Sequence, residues 1–404
     1  MKLRETGDQI SATKTTPSAS AWTFVLVVFV LSRVLFLGVG AVAAYVLPSG
    51  EAGQQPLDPS GLLSYWAHFD GSLYVEIATE GYDGPRTPLT TVFFPLFPML
   101  VRAGTALGGG PVLWGVLVSL AATFFALYFM YRIAEEIFDT RVARATTLAL
   151  AFFPTAFFLN AVYTEALFLA FAAGSFWAAR VRRDLLLAGV LGALAAATRQ
   201  IGVILLIPLA YEWLRNRQEF GWWGLWRVGL VPTGFLGYTV FLWIRFGDPL
   251  VFTYYQRTHW HHELANPVTT LGRAWVEAGY GLRYIPDLAS IFLGRVPAQA
   301  IEISNTVNFA SLALFIVLAV LGFFVLPLGL STYAFVVTLV PILTPTIWQA
   351  LASLDRYLLS AFPLFFALGY LLSRSRPALV LWLIASSGLG MALTAVFVSG
   401  RWVA

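Results

Sequence analysis

Cysteine is absent from this 404-residue sequence, and charged residues make up only 11% of it. Without thiols the chain can form neither a disulfide nor a thiolate metal site. A soluble domain would carry roughly 25% charged residues, so the low charge beside 58% hydrophobic residues excludes an ordinary soluble protein. The formal net charge of +4 is small and spread out, which indicates the basic bias of cytoplasmic membrane loops and not a nucleic-acid-binding patch.

Apolar runs of about twenty residues, each able to cross a hydrocarbon core of about 30 Å, recur from end to end. Such runs must be helical in lipid, so the sequence predicts an all-α polytopic membrane protein with about eleven transmembrane helices. The predicted spans lie near 22–47, 111–132, 143–159, 163–181, 185–199, 201–214, 222–245, 306–326, 331–350, 356–373 and 377–399. Arg33 lies near the middle of the first span, where it could bind a lipid phosphate or pair with a buried carboxylate, and we favour a structural partner.

The polar segment 1–21 is predicted to be a disordered cytoplasmic N-terminus, followed by a single transmembrane domain over 22–404. The short loops on the N-terminal side are rich in arginine, as the positive-inside rule expects of the cytoplasmic face. Two long loops, 48–110 and 246–305, then lie on the extracytoplasmic side. Because they hold most of the unusual polar and aromatic residues, we expect the functional site there.

The first of these loops contains the most informative stretch, YWAHFDGSLYVEIATEGYDGPRTPLTTVFFPLFP (Tyr65–Pro98). Apolar residues recur at helical spacing from Gly71 to Glu80, which predicts a short interfacial helix that stops at Gly81. Asp70 stands immediately before this helix. It could serve only as the helix N-cap, or it could be the carboxylate of an enzyme that meets a lipid-borne substrate at the bilayer edge.

Five elements occur in order along the chain. They are Phe69-Asp70 with YVEIATEGY (Tyr74–Tyr82) and FFPLFP (Phe93–Pro98), then FPTAFFLNAVYTEALF (Phe153–Phe168), ATRQIG (Ala197–Gly202), FGDPLVF with QRTHW (Phe246–Trp260), and RYLLSAFPLF (Arg356–Phe365). They resemble the signature elements of the PIG-V family, the GPI mannosyltransferase 2-like members of the GT-C class of membrane glycosyltransferases. Phe69 stands where that family usually has tryptophan.

The resemblance implies a GT-C-like fold and an inverting transfer of mannose from a polyprenyl-phosphate-mannose donor to a hydroxyl of a glycolipid or glycan acceptor. The active site would be extracytoplasmic or lumenal, and its essential acid would be Asp70. The protein would contact membrane lipids in the plasma membrane of a bacterium or in the endoplasmic reticulum of a eukaryote. Lys2 and Lys14 are the only lysines, and this arginine bias favours a bacterial source.

Displacement at an anomeric carbon needs a base, negative charge beside an oxocarbenium-like transition state, and cations for the leaving phosphate. Asp70 could supply the first two. Arg199, Arg257 and Arg356 are candidates for the third. The chain has no Asp-x-Asp pair, which agrees with a lipid-phosphate donor held by arginine, so neither a metal nor another cofactor is predicted. Full activity in EDTA would support that prediction.

The remaining candidates for substrate binding are His68, Tyr74, Glu165, Asp248, Gln256 and Trp260. Glu165 and Arg199 lie at the outer ends of predicted spans and could instead form a structural salt bridge. Asp248 lies in a GDP turn, where aspartate is expected to bond the local backbone, although it stays a second candidate for the base. His68 could tune Asp70 or contact the sugar.

Three histidines, at positions 259, 261 and 262, fall within THWHHE and could ligate zinc. Neighbouring loop residues seldom converge on one ion, so we favour a loop that is solvated or contacts the acceptor. Two other functions remain open for the whole chain: a GT-C transferase of glucose or arabinose, and a flippase for lipid-linked sugars without enzymatic activity. Only the family resemblance favours mannose, and the oligomeric state has no signature in the sequence.

Overall fold

The computed structural model describes residues 19–47, 61, 63–284 and 298–403. Its α-helices in chain order are α1 Ala19–Val46, α2 Asp70–Glu80, α3 Thr87–Thr90, α4 Leu96–Thr105, α5 Pro111–Ile137, α6 Thr140–Ala151, α7 Glu165–Arg180, α8 Leu185–Thr198, α9 Leu206–Arg215, α10 Arg217–Phe220, α11 Trp223–Val228, α12 Thr233–Phe246, α13 Val251–Thr258, α14 Pro267–Leu282, α15 Ala298–Val325, α16 Leu328–Leu343, α17 Leu354–Tyr357, α18 Pro363–Leu372 and α19 Arg376–Val398. Short 3₁₀ helices occupy Ser64–Ala67, Ala156–Leu159, Gln200–Leu205 and Leu358–Ser360. Of the segment 1–21 that was predicted to be disordered, only 19–21 are described, and these begin α1.

The predicted all-α class is confirmed over the described ranges. Four helices there are long and apolar enough to cross a membrane, namely Ser20–Val46, Pro111–Ile137, Ile301–Val325 and Arg376–Val398. Helices α12 and α13 form a bent pair, turning by 84°, that would make a fifth span. The predicted number of about eleven is not confirmed, because α6, α7, α8 and α9 have only 10 to 16 residues each.

Helix α7 lies at the centre of the bundle, where it packs between α5 and α8 and is buried over most of its length. A small residue allows the close approach of α5 to the segment that precedes α7. A Cβ atom at Gly115 would lie 2.6 Å from Cγ1 of Val162, a distance that real side chains do not reach. This packing places the first residue of α7, Glu165, deep inside the bundle.

Arg33 of α1 supports the segment 152–164, which joins α6 to α7 with only one 3₁₀ turn. Its guanidinium donates to the carbonyl oxygens of Ala151 at 3.0 Å and Ala156 at 2.9 Å, and to Oδ1 of Asn160 at 2.7 Å. Carbonyl groups inside a membrane protein have no water to bind them. The hydrogen bonds from the buried Arg33 therefore stabilise this largely non-helical segment. The expected structural partner of Arg33 is therefore main chain and a side-chain amide.

Helix α2 differs from the predicted interfacial helix because nearly all its faces are buried in the bundle. Glu76, which the helical pattern puts on a polar outer face, is only 7% exposed and forms an ion pair with Arg86. The hydroxyl of Tyr82, just after the helix, donates to the carbonyl of Phe93 at 2.7 Å. The loop after α2 is thus tied back onto the bundle, and α2 is held from both ends.

Candidate active site

A cavity of about 1000 Å³ lies beside the start of α2. Eight of the ten predicted site residues line it: Asp70, Tyr74, Glu165, Arg199, Gln256, Arg257, Trp260 and Arg356. The cavity has a buried end, marked by Asp70, Glu165 and Arg356, and an open end, marked by Gln256 and Arg257. Residues separated by almost 290 positions in the chain therefore share one cavity.

Asp70 is the first residue of α2, and it is 5% exposed. The N-cap position belongs to Phe69, and no side chain caps the helix. The interpretation of Asp70 as a mere helix cap is therefore wrong. Its Oδ2 atom instead accepts a hydrogen bond of 2.6 Å from Nη2 of Arg356.

The backbone just before Asp70 is strained. Phe69 has φ of 54° and ψ of −123°, a conformation that costs a residue other than glycine on the order of 1–3 kcal/mol. Its ring packs edge-on against Trp402 at a centroid distance of 5.0 Å and also lies 5.9 Å from Phe397. These contacts hold the strained residue in place, and the resulting turn directs Asp70 into the cavity wall.

A second buried carboxylate, Glu165, lies beside the same arginine. Nε of Arg356 is 3.9 Å from Oε1 of Glu165, and that oxygen accepts a hydrogen bond of 3.0 Å from Nη1 of Arg199. Two carboxylates and two guanidiniums thus form a continuous cluster whose charges, −2 and +2, sum to zero. Burying an unpaired charge is costly, and this balance explains why four ionised groups can lie together. The predicted Glu165–Arg199 salt bridge exists, and it is part of the cavity wall.

Aromatic rings enclose the cationic part of this cluster. The ring centroids of Phe158, Tyr163 and Tyr357 lie 5.0 to 5.8 Å from Cζ of Arg356. Arg199 lies over the ring of Tyr357 at 5.0 Å. Cation–π contacts of this kind are stronger where water is excluded, so the rings help to fix both guanidiniums.

Tyr74 and His68 lie on either side of Asp70 along the chain. The hydroxyl of Tyr74 lines the cavity and shares a hydrogen bond of 3.1 Å with Oγ1 of Thr164. His68 does not line the cavity, and its Nε2 donates to the carbonyl of Val398 at 3.2 Å. Burial lowers the pKa of His68, an effect that this hydrogen bond partly offsets. The neutral ring therefore fastens the end of α19 to the residues before α2.

The open end of the cavity is formed by α13 and the residues after it. Gln256 and Trp260 are half-buried, and Nε1 of Trp260 donates to the carbonyl of Leu89 at 3.3 Å. Arg257 is exposed and has no hydrogen bond or ion pair within the described part of the chain. It differs in this respect from the two arginines at the buried end, each of which is bonded to a carboxylate.

Asp248, the second candidate for the base, lies outside the cavity and is exposed. Its Oδ1 atom accepts a hydrogen bond of 2.8 Å from the amide of Leu250. This is the local turn bond expected of aspartate in a GDP sequence. The position of Asp248 thus fits a structural role in the turn between α12 and α13.

The histidines of THWHHE do not converge on one point. The ring of His259 bonds the neighbouring threonine, that of His261 packs edge-on against Trp348 at 4.4 Å, and Nδ1 of His262 lies 2.8 Å from the carbonyl oxygen of Thr344. Among the described residues no group of three His, Cys, Asp or Glu side chains could hold a metal ion. The geometry does not favour the zinc interpretation.

Two cavity residues with a notable position are not among the predicted site residues. Trp402 lines the cavity next to Phe69, but it lies outside all five matching elements and has no signal in the sequence. His262 also lines the cavity, whereas the sequence singled it out only as one of three histidines in a loop. What distinguishes His262 is that its ring is fixed by a hydrogen bond to Thr344, which lies 82 positions further along the chain.

The chain resembles known proteins in part of its sequence and in its fold. Residues 87–240, less than half of the chain, match the sequence profile of the family described as dolichyl-phosphate-mannose-protein mannosyltransferase. No curated protein sequence matches the chain. Two crystal structures of ArnT from Cupriavidus metallidurans, one bound to undecaprenyl phosphate and one in the apo state, are similar in fold, each with a TM-score of 0.50 and 14% identity. Each alignment covers 91% of this chain and 63% of ArnT, so the chain spans less than two thirds of the length of ArnT.

The oligosaccharyltransferase of Archaeoglobus fulgidus in the apo form is less similar, with a TM-score of 0.47, 12% identity, and coverage of 95% of this chain and 56% of that one. This weaker likeness adds nothing to the assignment. The likeness to ArnT assigns the GT-C fold, and the apolar helices indicate an integral membrane protein. The mannosyltransferase profile matches within this fold, over residues 87–240. The PIG-V subfamily is not confirmed.

Proposed function

We propose that the chain transfers mannose from a polyprenyl-phosphate-mannose donor to a hydroxyl of a glycolipid or glycan acceptor, with inversion at the anomeric carbon. The observation that carries the proposal is the carboxylate of Asp70, which lines a cavity of about 1000 Å³ and does not cap its helix. The ArnT structure that contains undecaprenyl phosphate supports a polyprenyl-phosphate donor. The cavity would face the extracytoplasmic side, as the arginine-rich short loops suggest.

Asp70 would act as the base. Its Oδ2 atom is held by Arg356, whereas Oδ1 has no hydrogen-bond partner within the described ranges and can accept the proton of the acceptor hydroxyl. As the acceptor oxygen bonds to the anomeric carbon, the bond from that carbon to the phosphate oxygen breaks, and the phosphate leaves with the electron pair. The carboxylate of Asp70 beside the carbon would stabilise the oxocarbenium-like transition state.

Arg257 would bind the phosphate of the donor. Arg199 and Arg356 already neutralise Glu165 and Asp70, so their charge is not available to an incoming anion without breaking a buried pair. Arg257 lines the same cavity, is exposed, and has no such partner among the residues described. A guanidinium matches the oxygens of a phosphate in shape and charge. The apolar part of the cavity lining would take the first isoprene units.

Mannose is favoured over glucose or arabinose by two likenesses. The profile that matches residues 87–240 describes enzymes that use dolichyl-phosphate-mannose, and the five elements that resemble PIG-V point to the same sugar. Gln256 and Trp260 would contact the sugar or the acceptor at the open end. A flippase is disfavoured because eight of the ten predicted site residues gather at one cavity.

The test is transfer by the purified chain in detergent with radiolabelled polyprenyl-phosphate mannose, for wild type and for Asp70→Asn. We expect the variant to lose about a hundredfold or more of its turnover, because it can no longer accept a proton. Size-exclusion profiles and melting temperatures control for folding. Asp248→Asn is the matched substitution at the rival aspartate, and it should retain transfer. Near-normal turnover by Asp70→Asn would refute the proposal.

A further inference from the structure

Residues 259–265, here called the strap, cross the open end of the cavity and are fixed by main-chain bonds. The amide of His262 donates to the carbonyl of Gln256 at 2.9 Å, and the amide of Ala265 donates to that of Leu343 at 3.0 Å. His262 also forms an antiparallel bridge with Thr346. These main-chain bonds hold the strap in addition to the side-chain bonds of Trp260 and His262.

The ring of His262 has a defined tautomer. Its Nδ1 atom lies 2.8 Å from the carbonyl oxygen of Thr344. Because a carbonyl oxygen can only accept, Nδ1 must carry the hydrogen, and Nε2 of the neutral ring is then a hydrogen-bond acceptor. No hydrogen bond reaches Nε2 from the residues that the structure describes.

The surroundings of His262 favour this neutral form. Burial lowers the pKa of His262, and its bond to Thr344 offsets this in part. The charges of Arg356 and Asp70 also act on the ring, in opposite directions, which reflects their position in the same cavity. His262, whose Nε2 lone pair is free in the neutral form, lines the cavity that also contains the proposed base.

We propose that Nε2 of His262 binds the acceptor by receiving a hydrogen bond from one of its hydroxyl groups, and so positions the acceptor for attack. This inference rests on the proposed function. With Arg257 assigned to the donor phosphate, His262 is, beside Gln256, a group of the cavity lining that can receive a hydrogen bond from the acceptor. A neutral imidazole suits a polyhydroxylated, uncharged acceptor such as a glycoside. His262 would thus be a positioning residue, whereas Asp70 takes the proton.

The simpler explanation is that His262 only fastens the strap. The two roles use different ring atoms, so they can be separated. In His262→Asn the side-chain amide can still donate to Thr344, as Nδ1 does, but nothing replaces Nε2. In His262→Gln the longer side chain can place an amide oxygen near the position of Nε2. His261→Asn is the control, because His261 does not line the cavity and its φ of 52° is tolerated by asparagine.

The experiment measures melting temperature and the KM values of donor and acceptor, with polyprenyl-phosphate mannose as donor and octyl α-mannoside or a membrane lipid extract as acceptor. We expect His262→Asn to raise the acceptor KM about tenfold, the effect of one lost hydrogen bond, with a smaller change in donor KM. The acceptor KM of His262→Gln should lie between those of His262→Asn and wild type. The acceptor KM of His261→Asn should match that of wild type.

Two results would overturn the inference. One is an acceptor KM for His262→Asn within about twofold of wild type, which is less than one hydrogen bond contributes. The other is a fall in melting temperature of more than about 4 °C in both His262→Asn and His262→Gln, which would show that the ring only fastens the strap. No transfer by wild type to either acceptor would instead count against the proposed function, and this inference would fall with it.

Discussion

Glu165→Gln separates the contribution of the buried charge cluster to transfer from its contribution to folding. Glutamine keeps the shape of the side chain but not its charge, so Arg199 and Arg356 are left with Asp70 as their only carboxylate within the cluster. The charge of the cluster then changes from 0 to +1. Both the proposed base and the stability of the bundle should respond to this change, and the two responses can be measured separately.

The magnitude for stability can be set by a matched pair elsewhere in the chain. Arg180 and Glu212 are 3.0 Å apart with side-chain exposures of 16% and 2%, the same three values as for Arg199 and Glu165, and they lie outside the cavity. Removing one partner of a buried pair costs about 3–5 kcal/mol. Because glutamine still accepts a hydrogen bond, we expect about 3 kcal/mol for both Glu165→Gln and Glu212→Gln.

The effect on transfer should differ sharply between the two variants. In Glu165→Gln two guanidiniums act on Asp70 without compensation, which makes its carboxylate a weaker base. We expect a loss of about a hundredfold in turnover, or about 2.7 kcal/mol of transition-state stabilisation. Glu212→Gln should turn over like wild type at a temperature where it is folded. The assay is transfer of labelled mannose by purified protein, beside thermal unfolding of both variants. Equal turnover of the two variants would show that the charge of Glu165 has no part in the reaction.

Two further predictions concern the open end. Arg257→Gln should raise the donor KM about tenfold or more, since a charge-assisted bond to phosphate contributes about 1.5–3 kcal/mol. The control is Arg283→Gln, because Arg283 is exposed and lies outside the cavity. Equal donor KM values in the two variants would exclude Arg257 as the residue that binds the donor phosphate. Because burial lowers the pKa of His262 below 6.5, its unfolded form binds a proton first as the pH falls. Its contribution to unfolding free energy is therefore complete above that pH and is lost progressively below it. Between about pH 7.5 and about pH 5.5 the melting temperature of His262→Asn should fall by less than that of wild type. An identical fall in the two proteins would contradict a buried, neutral His262.

The position of Asp70 beside a helix could be predicted from local sequence, because helical spacing and Gly81 mark the element. The local sequence could not show whether Asp70 caps that helix. The answer depends on the backbone of Phe69 and on Arg356, which is 286 residues away from Asp70 in the chain. A contact at such separation leaves no local pattern, and only the family resemblance drew attention to Arg356.

The all-helical class followed from composition, whereas the number of spans did not. Hydropathy treats each apolar run as a membrane crossing, but α6 to α9 are too short for this and pack on one another and on α5. Glu165 and Arg199 could be paired from sequence because they are 34 residues apart at the ends of neighbouring helices. His262 could not be told from its neighbours, since its partner Thr344 belongs to another helix end.

The zero net charge of the buried cluster has a consequence for the order of events. A phosphodiester donor brings one negative charge, which the guanidinium of Arg257 at the open end of the cavity would balance. Loss of the sugar leaves a phosphomonoester of about −1.5 to −2, while the proton taken up by Asp70 leaves the cluster with one uncompensated positive charge. The spent carrier would thus be held at least as strongly as the loaded one until Asp70 releases that proton, so deprotonation of Asp70 would precede departure of the carrier.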